Sequence, residues 1–213
     1  PCVAYAAYTI LKRDPSAIMI VTPSDHLILG KEKFNKAVTF LSEGLSTYDV
    51  LVTIGIAPTR PDTNYGYIQV DGLPEEGEPI KVKTFTEKPD AELAKVFISS
   101  GEFLWNSGIF MWRASTILFE MEKYIPMMVS QFIGWEAAIG TPAEEEFVEK
   151  AYAGIEKISI DYGVMEHTDI AWTYPCTMGW YDVGTWESLY TVFPDSQKDG
   201  DGNALSVGAV MAQ

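Results

Sequence analysis

The chain has 213 residues, 47% hydrophobic and 21% charged, which suits one globular domain whose core needs no disulfide or metal to hold it. Its formal net charge of −15 argues against nucleic acid and anionic membranes as partners, because both are bound by clustered Lys and Arg. The two cysteines, Cys2 and Cys176, are too few and too distant for a disulfide framework or a metal motif.

Both cysteines are expected as free thiols of a reducing, cytoplasmic compartment. No apolar run approaches the roughly 18 residues of a membrane span, and no signal peptide stands out.

Residues 2–12 are Ala-rich and predict a helix. Asp14-Pro15-Ser16 reads as a turn. The apolar run Ala17–Val21 predicts a strand buried on both faces of a parallel sheet. It stops at Thr22-Pro23-Ser24-Asp25-His26. Phe34, Val38, Leu41 and Leu45 form the stripe of an amphipathic helix over 31–47. Leu51–Ile56 is a second buried strand, so these elements form a βαβ unit.

A loop rich in Pro, Asp, Asn and Gly follows, from Pro58 to Gly66. Strands are predicted at Tyr67–Val70 and Ile80–Phe85, with an acidic surface loop at 71–79 between them. Pro89–Ser100 predicts a helix with Pro near its start and Gly101 after its end. Phe103–Trp112 is a further apolar strand, and 114–124 a helix ended by Pro126. Thr141-Pro142-Ala143-Glu144 matches a capping box and predicts a helix over 142–152. Ser159–Thr168 is a short helix and Ala171–Cys176 a strand. The loop Gly179–Gly184 leads into a helix over 185–192. Residues 195–213 read as a linker after a domain covering 1–194.

Ligands of open α/β sheets gather at the carboxyl ends of the strands. Asp25 and Asp182 fall at two such ends, and two converging carboxylates suit a hard cation such as Mg²⁺. Each is equally explained as a turn residue. Lys88, in Glu87-Lys88-Pro89, stands where a cation can meet a phosphate, and Glu87 can accept hydrogen bonds from sugar hydroxyls. The competing reading is a solvated strand end. Gly66, between Tyr65 and Tyr67, either lets a ligand approach the backbone or makes a plain turn. Asn106, polar inside an apolar strand, is either a structural bridge or a ligand contact. His26 and His167 are isolated, which favours structural roles, and nothing suggests a covalent nucleophile.

Six segments, in order, resemble the mannose-1-phosphate guanylyltransferases. They are Thr22–His26, Gly55–Ile68 (GIAPTRPDTNYGYI), Phe85–Asp90 (FTEKPD), Leu104–Phe110 (LWNSGIF), Ser159–Glu166 (SIDYGVME) and Gly179–Trp186 (GWYDVGTW). The resemblance covers roughly residues 1–190. It implies a Rossmann-like nucleotidyltransferase fold: a mostly parallel central sheet, helices on both faces and a small sugar-binding β lobe. It implies an enzyme that transfers GMP from GTP to mannose 1-phosphate, giving GDP-mannose and pyrophosphate. Asp25 and Asp182 would hold Mg²⁺, Lys88 would meet the sugar phosphate, and Glu87, Asn106 and the Gly66 backbone would contact the sugar. A homodimer is compatible with the family.

The sequence departs from the family pattern in two ways. The glycine- and arginine-rich phosphate loop and the guanine-binding segment that open the family's domain are expected upstream of Pro1, and a C-terminal β-helix beyond the linker. Asn64 stands where glycine is more usual. Two alternatives stay open: a related nucleotidyltransferase with another sugar or base, and a non-catalytic sugar-phosphate-binding fragment.

Overall fold

In the computed structural model, residues 1–72, 74–199 and 203–204 are described. The chain opens with helix α1 (Cys2–Arg13), strands β1 (Ile18–Val21) and β2 (His26–Ile28), helix α2 (Lys31–Leu45) and strand β3 (Leu51–Ile56). Strands β4 (Tyr67–Val70) and β5 (Ile80–Thr86), helix α3 (Ala91–Ser100), strand β6 (Phe103–Arg113) and helix α4 (Ala114–Tyr124) follow. Three short helices come next: α5 (Pro126–Ser130), α6 (Trp135–Ala138) and α7 (Glu144–Ala153). A single π-type turn at Asp161–Met165 precedes β7 (Ala171–Pro175), β8 (Trp180–Asp182) and α8 (Trp186–Val192).

The helices form where apolar spacing and end signals agree. In α2, Ala37, Leu41 and Leu45 are buried, with Phe34 and Val38 packed beside them, as a 3.6-residue period requires. The α3 start is fixed by Asp90, whose side chain accepts from Leu93 N at 2.8 Å. Its end is Gly101 at φ 74°, a left-handed position that glycine takes without a Cβ clash.

A six-stranded sheet runs β1-β6-β3-β7-β5-β4, and β4 also pairs with β6. Strands β6, β3, β7, β5 and β4 therefore close on one another, with β1 on the free flank of β6. Two cores flank this sheet. One joins α1 and α4 to Met19, Ile68, Leu104 and Trp112. The other joins α2 and α3 to Val52, Ile54, Tyr67 and Trp105. The α/β class with helices on both faces is thus as expected.

The pairing differs from a mostly parallel sheet. Among the described residues only β3–β7 is a parallel neighbour pair, while β6 runs antiparallel to β1, β3 and β4. Strands β1 and β3 are co-directional but have β6 between them, so the expected βαβ unit spans an intervening strand. β1 is accordingly half open: Met19 is buried while Ile20 is 43% exposed. The β4–β5 hairpin is part of the main sheet rather than a separate lobe.

Three local expectations also change. The Thr141–Glu144 capping box does not form. Thr141 Oγ1 donates to Ala138 O, Glu144 Oε2 accepts from Gly140 N, and α7 starts two residues later than expected. Pro89 precedes the N-cap of α3 instead of occupying its first turn. Within the supposed loop Gly179–Gly184, Trp180–Asp182 is a strand paired with β2. The tail expectation is described only at 195–199 and 203–204, where Lys198 bridges Ala204. Its other positions lie outside the described residues.

Candidate active site

The site begins with an irregularity in β6. Thr53 pairs with Phe110 and Gly55 with Asn106, so three residues of β6 face the single residue Ile54. Side chains replace the lost ladder bonds: Ser107 Oγ donates to Ile54 O at 2.7 Å, and Gly108 takes φ 69°. Bulges of this kind re-aim a side chain, and here the side chain is Asn106.

Three partners fix the Asn106 amide. Its Oδ1 accepts from Thr53 Oγ1 at 3.0 Å and from Gly108 N at 3.1 Å. Its Nδ2 donates to Asp161 Oδ1 at 2.9 Å. Both oxygen lone pairs are therefore used, and one N–H remains without a partner among the described residues.

Glu87 reaches the same place from the end of β5. The Gly66 carbonyl accepts from Asn106 N at 2.8 Å, so Gly66 is held against β6. A Cβ on Gly66 would lie 2.2 Å from Glu87 Oε2; only glycine admits the carboxylate there. Burial pushes the Glu87 carboxyl up to about 7, helped by the charges of Asp161 and Glu166 and opposed by Lys88. Asp161 is raised as well, first by burial, against the hydrogen bond from Asn106. Lys88 is exposed, forms no ion pair among the described residues and holds φ 48°. A left-handed backbone at a non-glycine residue is strained, and such strain concentrates at functional sites.

The second group lies at the β2–β8 pair. His26 pairs with Asp182 in register, and Val183 N donates to Asp25 O. A Cβ on Gly184 would stand 3.1 Å from Asp25 Oδ2 and 3.2 Å from Asp182 Oδ1, so both carboxylates face one point beside that glycine. Among the described residues no three His, Cys, Asp or Glu side chains gather as a metal group. Two converging carboxylates nonetheless fit Mg²⁺, which commonly takes one or two and completes its shell with water and phosphate oxygens. Trp180 Nε1 donates to His26 Nδ1 at 3.0 Å. The imidazole proton then sits on Nε2, which lies 3.9 Å from Asp182 Oδ1.

An aromatic bridge joins the two groups. Tyr65 packs edge-on against Trp105 (5.0 Å) and Trp180 (5.2 Å). Arg60 lies over Trp105 at 5.3 Å and pairs with Asp62 at 2.7 Å. The Tyr65 hydroxyl is raised first by burial and then by nearby carboxylates, Asp182 among them.

The fold thus gathers Gly66, Glu87, Lys88 and Asn106 around one point and Asp25 with Asp182 around another. Asp161, Thr53 and His26 escape sequence reasoning as site residues. The Asp25-His26 dipeptide beside a strand end was the one available signal for His26. Asp161 lies within the Ser159–Glu166 segment that carries the resemblance, but nothing local points to its contact with Asn106, 55 residues distant. Trp186, at the start of α8, is 87% exposed. Both cysteines are free, and no helix of the described residues is long and apolar enough to cross a membrane.

Comparison with known proteins adds an independent line. The nucleotidyl transferase family model matches residues 1–199. Xanthan biosynthesis protein XanB of Xanthomonas campestris pv. campestris is 38% identical over 205 residues, 96% of this chain and 42% of the relative. Mannose-1-phosphate guanylyltransferase of Escherichia coli is 36% identical over 212 residues, 97% and 44% of the two chains. The chain therefore spans less than half the length of these curated relatives. Among solved structures, one described as a mannose-1-phosphate geranyltransferase from Thermus thermophilus superposes with TM-score 0.75 at 30% identity, covering 89% of this chain and 54% of that one. A mannose-6-phosphate isomerase from Helicobacter pylori gives 0.71 at 29%, covering 84% and 69%. With the family model matched over nearly its whole length, this chain belongs to the nucleotidyl transferase family.

Proposed function

We propose that this chain carries the sugar-phosphate and metal side of an enzyme that transfers GMP from GTP to mannose 1-phosphate, releasing pyrophosphate. The observation that carries the reading is the arrangement at the strand ends. Hydroxyl-recognising groups (Glu87, Asn106) and an exposed cation (Lys88) stand across an aromatic bridge from two convergent carboxylates (Asp25, Asp182). Relatives named mannose-1-phosphate guanylyltransferase support the choice of sugar and base.

In this reading Glu87 accepts hydrogen bonds from sugar hydroxyls, and the free N–H of Asn106 donates to a sugar oxygen. The Gly66 backbone leaves room for both. Lys88 meets the phosphate of mannose 1-phosphate and keeps its attacking oxygen in place. That oxygen forms a bond to the α-phosphorus of GTP as the α–β bridging bond breaks and pyrophosphate leaves. Nothing covalent is asked of the protein, so positioning and charge neutralisation supply the catalysis. Asp25 and Asp182 would hold Mg²⁺, which supplies neutralisation of phosphate charge when bound.

The test is calorimetric titration with mannose 1-phosphate and glucose 1-phosphate in Mg²⁺ buffer. Tighter binding of the mannose compound, weakened at least about tenfold in Lys88→Ala, is expected from loss of a charge-assisted contact. Equal affinity for the two sugars, or no effect of Lys88→Ala, contradicts the reading.

A further inference from the structure

His26 has no part in the proposed reaction, yet the β2–β8 ribbon builds a fixed place for it. His26 pairs directly opposite Asp182, and Trp180 stands two residues earlier on β8. Side chains alternate along a strand, so His26, Asp182 and Trp180 rise from one face of the ribbon, with His26 next to both of the others. The imidazole meets the Trp180 indole edge-on at 5.2 Å and 83°. Behind it stands the β6 bulge: a Cβ on Gly108 would lie 3.8 Å from His26 Cε1. Only 12% of the His26 side chain is exposed.

Trp180 decides which ring nitrogen carries the proton. It is buried, and a buried indole N–H is costly without an acceptor. It donates to His26 Nδ1 at 3.0 Å. An indole N–H can only donate, so Nδ1 must be bare and the ring neutral, with its hydrogen on Nε2. Nε2 has no hydrogen-bond partner among the described residues, and Asp182 Oδ1 stands 3.9 Å from it. If Trp180 needed only an acceptor, a backbone carbonyl or an amide would serve. What a histidine adds is a second nitrogen, and that nitrogen is placed beside Asp182.

The gap of 3.9 Å exceeds a hydrogen bond, so Nε2–H acts on Asp182 as an oriented dipole or through one bridging water. Asp182 Oδ1 also accepts from Gly184 N at 3.0 Å. Two N–H groups beside the same oxygen hold the plane of a carboxylate whose side chain is 37% exposed. The opposite tautomer would set a bare nitrogen against that oxygen and repel it.

We propose that His26 is a positioning residue for the cation site: Trp180 fixes its tautomer, and its Nε2–H orients the Asp182 carboxylate toward the point it shares with Asp25. The proposal rests on the metal reading above only for what the carboxylates hold. The Trp180–His26–Asp182 chain is a property of the metal-free protein.

The experiment has a metal-free arm and a metal arm. Nitrogen-15 NMR at about pH 8, where an ordinary imidazole is neutral, reports both ring nitrogens of His26. Only His167 shares the spectrum, and His26→Phe identifies the signals. Wild type should show a bare Nδ1 and a protonated Nε2. Trp180→Phe should let the Nδ1–H form appear, and Asp182→Asn should move the Nε2 resonance. In the metal arm, free Mn²⁺ is followed by electron paramagnetic resonance. His26→Phe should weaken Mn²⁺ binding about three- to tenfold. His26→Gln keeps an amide N–H near the place of Nε2 and should recover most of that affinity.

A proton on Nδ1 in wild type, or an Nε2 resonance unmoved by Asp182→Asn, overturns the proposal. So does unchanged Mn²⁺ affinity in a folded His26→Phe. Equal losses in His26→Phe and His26→Gln would assign the effect to ring packing and overturn it as well. If Trp180→Phe does not fold by circular dichroism, the wild-type tautomer and the two His26 variants decide. If wild type holds no Mn²⁺, the cation reading falls, and the metal-free Asp182→Asn shift still supports or overturns the orientation of that carboxylate.

Discussion

Gly66 and Glu87 are matched by subtraction: the carboxylate Oε2 occupies the space where a side chain at residue 66 would begin, 2.2 Å from an ideal Cβ. The φ of Gly66 is not left-handed, so alanine is tolerated by the backbone and opposed only by that oxygen. The end of a glutamate can swing away at little cost. Gly66→Ala should therefore leave stability within about 1 kcal/mol of wild type while lowering mannose 1-phosphate affinity roughly tenfold. Denaturant unfolding and calorimetry on the same sample measure the two effects. A large loss of stability with intact binding would mean the oxygen is fixed and the subsite lies elsewhere.

Glu87 should make stability depend on pH. Its carboxyl is raised from 4.5 to about 7 in the folded chain. A raised group contributes stability that is fully present below the unfolded value and lost as pH rises through the folded one. The fold should lose this contribution between about pH 4.5 and 7. Glu87→Gln removes the dependence, so it should be the more stable protein at pH 8. The gain is of order 1 kcal/mol after discounting for the solvent that still reaches Glu87, or about 2–4 °C in Tm. Near pH 4 the two proteins should converge. Parallel thermal scans at both pH values decide it.

Lys88 combines a strained backbone with a function that needs its side chain. At φ 48° any residue with a Cβ is disfavoured by roughly 1–2 kcal/mol, and glycine is not. Lys88→Gly should therefore be more stable than Lys88→Ala by about 1 kcal/mol. Both should lose sugar-phosphate affinity equally. Equal stability of the two variants would show that the segment relaxes once the lysine is gone.

Much of the framework was legible because it is local. The stripe Phe34, Val38, Leu41 and Leu45, the run Leu51–Ile56 and the stop at Pro126 each carry their meaning within one element, and each formed where expected. Strand direction is not local. Phe103–Trp112 reads as a buried strand in either orientation, so the antiparallel course of β6 was invisible. Strand β8 offers only Trp180, Tyr181 and Asp182, which pattern cannot separate from a loop. The Thr141–Glu144 box was a sound signal outcompeted by tertiary partners, since Glu144 is held by Tyr5 and Gly140.

The site divides along the same line. Asp25, Glu87 and Lys88 stand beside strand ends, which sequence locates, whereas Asp182 ends β8, which reads as a loop. Asn106 could be singled out as a polar residue in an apolar run, but not its direction. That direction comes from a bulge of β6 against Ile54 and from Thr53 and Asp161, both more than 50 positions away.

The central claim is that the carboxylates and the sugar subsite serve one ligand. The direct measurement is phosphorus-31 relaxation of mannose 1-phosphate with Mn²⁺ in place of Mg²⁺. The account predicts strong paramagnetic enhancement at the phosphate, lost in Asp182→Asn through loss of the metal and in Lys88→Ala through loss of the sugar phosphate, with both variants folded. Binding of both metal and sugar phosphate without mutual relaxation, or enhancement that persists in Asp182→Asn, would contradict it.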